Sequence, residues 1–267
     1  MHCKRLCECA VMLPLLTSCG AQSTVDPSPA PAAPAEERGI PTFAADPSWP
    51  GLPAEWVLGQ VSSVTVDSRD HVWVLHRPRT VPDEQQAAAA PPVLEFDESG
   101  AFVQAWGGPG GDYEWPANEH GIHVDYRGDV WVGGNGTAPE SDDMLLKFTA
   151  AGELLFQVGR PGQSGGNEDT ANLRRPAEAF AYEATDEVFV ADGYGNRRVI
   201  VLDATTGAFK RMWGGFGNAP LDEPPETPGD DDQGPPQFGT VHGIEVSNDG
   251  HVYVADRNNG RIQVFTT

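Results

Sequence analysis

The sequence predicts an all-β fold, a β-propeller with four recognisable blades of which the last is incomplete, and three observations carry that reading. A strand of the form x-Val-aromatic-Val recurs four times, at His71–Val74, Asp129–Val132, Glu187–Val190 and His251–Val254, with starts 58, 58 and 64 residues apart. Each copy has the same order of parts: an apolar strand, an Asp/Gly turn, the aromatic strand, a loop and a third strand. The 267 residues include 31 glycines and 24 prolines, so turns are frequent and long helices have little room. Alternating β-branched and aromatic residues between Gly/Asp turns form antiparallel sheets. One twisted sheet cannot bury both faces alone, so units at this period stack around an axis.

Taken in order, the chain opens on an export signal. Lys4 and Arg5 form a basic start, and Ala10–Leu16 is an apolar run too short to span a bilayer. Leu16-Thr17-Ser18-Cys19-Gly20 resembles the bacterial lipoprotein box, in which Cys19 is lipidated and becomes the first mature residue. The other reading is an ordinary cleaved signal with Cys19 beside the cut. Both place the protein outside the cytoplasm, in the bacterial cell envelope or secreted. Residues 1–19 are thus the signal and lipobox, and 20–50 a Pro/Ala-rich tether with stretches such as Pro27-Ser28-Pro29-Ala30-Pro31. The propeller is expected over 51–267. Its third strands fall at Val93–Phe96, Leu145–Phe148, Val199–Leu202 and Ile262–Phe265. Fourth strands run into glycine at Phe102–Gly107, Leu154–Gly159 and Phe209–Gly215, and the last copy lacks one. The insert Phe216–Phe238, with Asp230-Asp231-Asp232, reads as a solvated loop whose acidic run is either a solvated face or a calcium site.

Composition excludes several classes of function. Lys and Arg number 17 against 39 Asp and Glu, a net charge of −22 that repels nucleic acid and anionic lipid. Membrane contact is expected only through an N-terminal lipid. The four cysteines (Cys3, Cys7, Cys9 and Cys19) all lie in the first 19 residues, so the folded part has no disulfide framework, thiolate metal site or catalytic thiol. Nothing in the sequence signals an oligomeric state.

Two histidines stand at equivalent places, His120 and His242, each just before Gly-Ile at the start of a blade's first strand. First strands line a propeller's central channel, so both imidazoles should face the axis at one mouth. Two neutral imidazoles are half of a first-row metal site. The competing reading is a pair of strand-opening core histidines. Tyr194 sits between two glycines in the loop after the third blade's second strand, while Arg77 and Arg257 leave the corresponding loops of blades one and four. Tyr194 can also be read as a turn tyrosine covering a blade edge, and each arginine as a salt-bridge donor. His71 and His251 are read as solvated turn residues, and His76 and His123 as neighbours of the mouth.

The run Val241-His242-Gly243-Ile244 through Asp249-Gly250-His251-Val252-Tyr253-Val254-Ala255-Asp256-Arg257-Asn258-Asn259-Gly260-Arg261-Ile262-Gln263-Val264-Phe265 resembles an NHL repeat. Within NHL propellers, Leu75-His76-Arg77, Glu119-His120-Gly121-Ile122 and Val190-Ala191-Asp192-Gly193-Tyr194-Gly195-Asn196-Arg197-Arg198 resemble the peptidyl-α-hydroxyglycine α-amidating lyases, over about residues 55–267. The resemblance implies a six-bladed propeller with zinc on His120, His242 and a third histidine from a later blade, and calcium in the channel. It implies Tyr194 as the base that takes the α-hydroxyl proton, Arg77 and Arg257 in the active site, and a peptide or small α-hydroxyamide as substrate. The third histidine would lie beyond Phe265, so the chain is read as a C-terminally truncated bacterial member. The alternative is a non-catalytic NHL-propeller binding module of the cell envelope. A propeller lactonase is a third option, but it would need carboxylates around the axis, and Glu178 is the one hint of those.

Overall fold

The structure, a computed structural model, describes residues 41–223 and 234–267. The expected signal and lipobox with Cys19, residues 20–40 of the tether and the Asp230–Asp232 run lie outside the described residues. The chain divides into two units, Met1–Ala45 and Asp46–Thr267. In the first, residues 41–45 have no regular structure.

The second unit is four antiparallel sheets, each in simple meander order. Blade 1 comprises β1 (Gln60–Val66), β2 (Val72–Arg77), β3 (Val93–Phe96) and β4 (Phe102–Trp106). Blade 2 comprises β5 (Glu119–Val124), β6 (Val130–Gly134), β7 (Met144–Phe148) and β8 (Leu154–Gly159). Blade 3 comprises β9 (Glu178–Tyr182), β10 (Glu187–Asp192), β11 (Arg198–Asp203) and β12 (Phe209–Trp213). In blade 4, β13 (Val241–Val246), β14 (His251–Asp256) and β15 (Arg261–Thr266) form a three-stranded sheet. The repeated aromatic strand is thus the second strand of every blade, and the predicted β-propeller architecture stands. Among the described residues no helix is long and apolar enough to cross a membrane.

The core lies between blades, because a strand's alternate side chains serve its two neighbours. Trp73 and Leu75 of blade 1 pack with Ile122, Val132 and Phe148 of blade 2, while Val74 faces the other way onto Leu94 and Phe96. Trp131 of blade 2 packs on Val188 and Val190 of blade 3, and Phe189 of blade 3 on Val252 and Val254 of blade 4. The Asp turns hold the indoles: Asp67 accepts Trp73 Nε1–H at 3.1 Å, and Asp125 accepts Trp131 Nε1–H at 3.0 Å. A buried indole needs a partner, and the six-residue spacing supplies it twice.

Two expectations change. The insert's far end is not solvated: Phe238 is buried between blades 3 and 4 against Phe265. Burial of that apolar ring outweighs the polar character of the residues beside it in sequence. His71 is not a solvated turn residue either. Its side chain is only 20% exposed and its Nδ1 lies 2.7 Å from Glu95 Oε1. His251, paired with Asp249 at 3.1 Å, stays half exposed as expected.

Candidate functional site

The start of every first strand is pinned by one repeated hydrogen bond. A backbone N–H just before the strand donates to an acceptor near the end of the second strand or in the loop after it. The pairs are Gly59 to His76 Nδ1 at 3.0 Å, Ala117 to Asp142 at 2.8 Å, Arg174 to Asp192 at 2.8 Å and Gly239 to Asp256 at 2.8 Å. His76 therefore does in blade 1 what an aspartate does elsewhere. It is fully buried, its other nitrogen faces the Pro91 carbonyl at 3.0 Å, and burial pushes its pKa down. In this supporting place beside Arg77 it holds backbone groups at the start of blade 1. His123 is structural too, its Nε2 accepting the Ala181 N–H of blade 3 at 3.1 Å.

Three first strands then break register by one residue, at Ser62, His120 and His242. Such a bulge re-aims a single side chain, and here it turns two imidazoles inward. Blade 3 keeps regular register, with Ala177 N–H donating to Ala191 O at 2.8 Å. In place of a histidine it contributes Tyr194 from the following loop. Gly121 is required next to His120 for contact reasons, because a Cβ there would stand 2.7 Å from the Ala177 carbonyl oxygen. Gly193 likewise carries no side chain because a Cβ would collide with Val241, and one on Gly195 would collide with Arg174. The glycines around Tyr194 serve close chain approach, and the phenol they present is half-buried rather than exposed.

His120, Tyr194 and His242 meet at one point. Tyr194 Oη lies 2.8 Å from His120 Nε2 and 3.0 Å from His242 Nε2, with the two imidazole centroids 5.3 Å apart. The far nitrogen of His120 faces the Ala177 carbonyl at 3.1 Å. A carbonyl only accepts, so His120 carries its proton on Nδ1 and Nε2 receives the tyrosine hydroxyl. The phenol oxygen then accepts from His242 Nε2–H. Arg257 adds a second donor 3.4 Å away, its guanidinium 5.3 Å over the tyrosine ring. Both donors stand where negative charge would develop on that oxygen. Burial, then the charges of His242, Arg77 and Arg257, push His120 down to about 4. Burial and then Arg257 push His242 down as well. Both imidazoles are therefore neutral near pH 7, the form that ligates metals.

Arg77 joins from the side, its Nε donating to the Glu119 carbonyl at 2.8 Å, directly before His120. Glu178 does not face this cluster as a free carboxylate. Its Oε2 accepts the Ile244 N–H at 2.8 Å and straps blade 3 to blade 4. Sequence reasoning missed two contributors. The Ala177 carbonyl orients His120 but is a backbone group without a sequence signature. Arg175, held at φ 57°, donates to the Tyr194 carbonyl at 2.8 Å.

The donor set tests the fit of zinc. His120 and His242 supply two neutral imidazoles, with His242 having to move its proton to Nδ1 to free Nε2, against the three protein ligands that a catalytic zinc uses. Among the described residues no third histidine, cysteine or carboxylate joins His120 and His242 within ligating distance. The three-residue group that does satisfy the geometry, Asp67, His71 and Glu95, is already crossed by Arg69, which pairs with Asp67 at 2.6 Å and Glu95 at 2.7 Å.

The lowered histidines make a stability prediction. His123 is pushed to about 4 chiefly by burial, as His120 is. Between about 4 and the ordinary 6.5 the unfolded chain binds more protons at these sites, so their stabilisation is complete above 6.5 and lost as pH falls towards 4. Glu119 and Glu178, pushed up by burial, act in the opposite sense. Thermal melts from pH 7 to 4 should show a shallower fall in Tm for His123→Gln than for wild type. Equal slopes would refute the assignment.

Comparison with known proteins agrees with the architecture. The NHL repeat family model matches residues 238–265. The chain is 29% identical over 231 residues to mouse NHL repeat-containing protein 3, covering 84% of this chain and 57% of that protein. It is 30% identical over 236 residues to rat peptidylglycine alpha-amidating monooxygenase, covering 82% of this chain and 22% of the relative. A Caenorhabditis elegans protein named as a probable peptidyl-alpha-hydroxyglycine alpha-amidating lyase is 26% identical over 229 residues, covering 78% and 56%. The aligned segment thus spans little more than half of the NHL relative and less than a quarter of the rat enzyme. With the repeated strands, the bulged histidines and these matches in view, the chain is an NHL-repeat β-propeller that resembles the amidating lyases.

Proposed function

We propose that this propeller is a zinc-dependent lyase that splits a peptidyl-α-hydroxyglycine, or a close α-hydroxyamide, into an amide and glyoxylate. The observation that carries the proposal is the meeting of His120 Nε2, His242 Nε2 and Tyr194 Oη at one point beside Arg257. The similarity to proteins named for amidation supports it. In the reaction the α-hydroxyl loses its proton, the C–N bond breaks with its electron pair going to nitrogen, and nitrogen gains a proton. The carbinol carbon becomes the aldehyde of glyoxylate.

His120 and His242 would hold the zinc, which when bound supplies polarisation of the α-hydroxyl oxygen. Tyr194, in its phenolate form beside Arg257, is the base whose Oη takes the hydroxyl proton and, then as the acid, hands it to the departing amide nitrogen. Arg257, half of whose role is to flank that phenol, and Arg77 offer planar guanidinium groups for the substrate carboxylate. Calcium in the channel remains part of the proposal by resemblance.

The test is metal analysis with a glyoxylate assay. With zinc supplied, wild type should bind about one zinc and release glyoxylate, whereas His120→Ala and His242→Ala should lose both. Wild type that takes up no zinc, or alanine variants that keep it, would overturn the metal assignment. The second reading, a binding module, draws on the similarity to NHL repeat-containing protein 3. It predicts ligand binding that survives both alanine changes.

A further inference from the structure

A groove of about 680 Å³ runs between blades 1 and 2 and takes no part in the steps above. We propose that it receives the apolar segment of a peptide ligand, with aromatic or proline side chains preceding the C-terminal residue that reaches His120 and Tyr194. What lies at the end of that segment rests on the lyase reading, whereas the groove does not.

Its volume is in the range of ligand pockets. Trp56, Trp115, Pro78 and Pro92 line it, with Arg79 and Glu119 as polar groups. Flat indoles and pyrrolidine rings favour stacked aromatic or proline side chains over charged ones. The groove also opens at the right end of the molecule. Pro78 directly follows Arg77, and Glu119 directly precedes His120. Arg77 ties the two together by donating to the Glu119 carbonyl at 2.8 Å. Arg79 closes the rim by donating to the Ala117 carbonyl at 3.1 Å and to Asn118.

The second observation is Glu119 itself, only 5% exposed. Its Oε1 accepts the Trp115 indole N–H at 2.9 Å, while its Oε2 is buried and has no hydrogen-bond partner among the described residues. A buried acceptor without a donor is uncommon in a folded protein. A rotation of the Glu119 side chain would bring that oxygen to the groove, where the backbone N–H of an extended peptide is a donor of the right kind. The chain's net charge of −22 disfavours an acidic peptide, so the occupant is a neutral or basic one.

The experiment uses the full chain and two unreactive probes that lack the α-hydroxyl, acetyl-Phe-Pro-Phe-Gly and acetyl-Gly-Gly-Gly-Gly, with affinities measured by calorimetry. Wild type should bind the aromatic peptide about tenfold or more tightly than the glycine peptide. Filling the groove from its exposed wall with Gln86→Trp should shrink that preference to about threefold or less. Tyr194→Phe should keep it. Equal affinity for the two probes in wild type overturns the proposal, and because it needs no variant it does not depend on a mutant folding. A folded Gln86→Trp that keeps the full preference overturns it too. So does a concentration-dependent dimer that Gln86→Trp abolishes without any peptide preference, since the occupant would then be a second copy. If the preference holds but hydroxylated peptide plus zinc releases no glyoxylate, the groove stands and the lyase reading falls.

Discussion

Tyr194→Phe should lower glyoxylate release from a peptidyl-α-hydroxyglycine by about 10²–10⁴-fold, the range for removing a positioned acid–base group. Zinc content should not fall. The lost hydroxyl is the group to which both imidazole Nε2 atoms point, at 2.8 and 3.0 Å, and its removal leaves those nitrogens free for a metal. The fold should survive, because the ring keeps its place in the core between blades 3 and 4 and the hydroxyl's hydrogen bonds to His120, His242 and Arg257 cost about 1 kcal/mol each. Metal content, melting temperature and turnover measured on one preparation separate the roles. A variant with near wild-type turnover removes Tyr194 from the chemistry. One that loses zinc makes the phenol a ligand.

The second large effect is on stability. Asp192 and Arg198 are both fully buried, with Arg198 Nε 2.9 Å from Asp192 Oδ2. Arg198 also donates to the carbonyls of Asn167 at 2.7 Å, Asp169 at 2.5 Å and Asn172 at 2.8 Å. The same aspartate accepts Asn196 Nδ2 and the Arg174 N–H, each at 2.8 Å. Removing one partner strands a buried charge, so Asp192→Ala or Arg198→Ala should cost about 3–5 kcal/mol. In a domain of this size each kcal/mol lowers Tm by about 2–4 °C, so the loss should be roughly 6–20 °C. Gly193 and Tyr194 follow Asp192 directly, so activity should fall with stability. Thermal denaturation decides it, and a Tm within about 2 °C of wild type would show the pair to be dispensable. Removing both charges together, as Asp192→Ala with Arg198→Met, should cost less than the sum of the single changes.

These two sites differ in how far the sequence revealed them. Tyr194, His120, His242 and Arg257 were legible, because repeat alignment places two histidines at one strand position and sets the tyrosine and arginine in corresponding loops. That they meet at a single oxygen was not legible. It depends on the one-residue register break at His120 and His242, and a bulge has no composition of its own. The Asp192–Arg198 pair looked like motif residues, and only burial shows that the motif is an electrostatic staple. His76 makes the same point. Its place beside Arg77 marks it only as a neighbour of the mouth, and the structure adds that it occupies the aspartate position of its blade and accepts the equivalent N–H. Phe238 was assigned to solvent because prolines and acids surround it in sequence, whereas Phe265 and blade 3 surround it in space.

What the sequence determined by itself is the repeat: strand order, blade boundaries and the four x-Val-aromatic-Val strands follow from local alternation and turn chemistry, which act over a few residues. What only the tertiary structure decided is which repeated side chain faces a neighbour, a ligand or a backbone carbonyl. Those choices join residues 42 to 74 positions apart, as between Arg77 and Glu119, His242 and Tyr194, and His120 and Tyr194. The physical reason is that packing one sheet on the next sets such distances, and no local pattern along the chain encodes them.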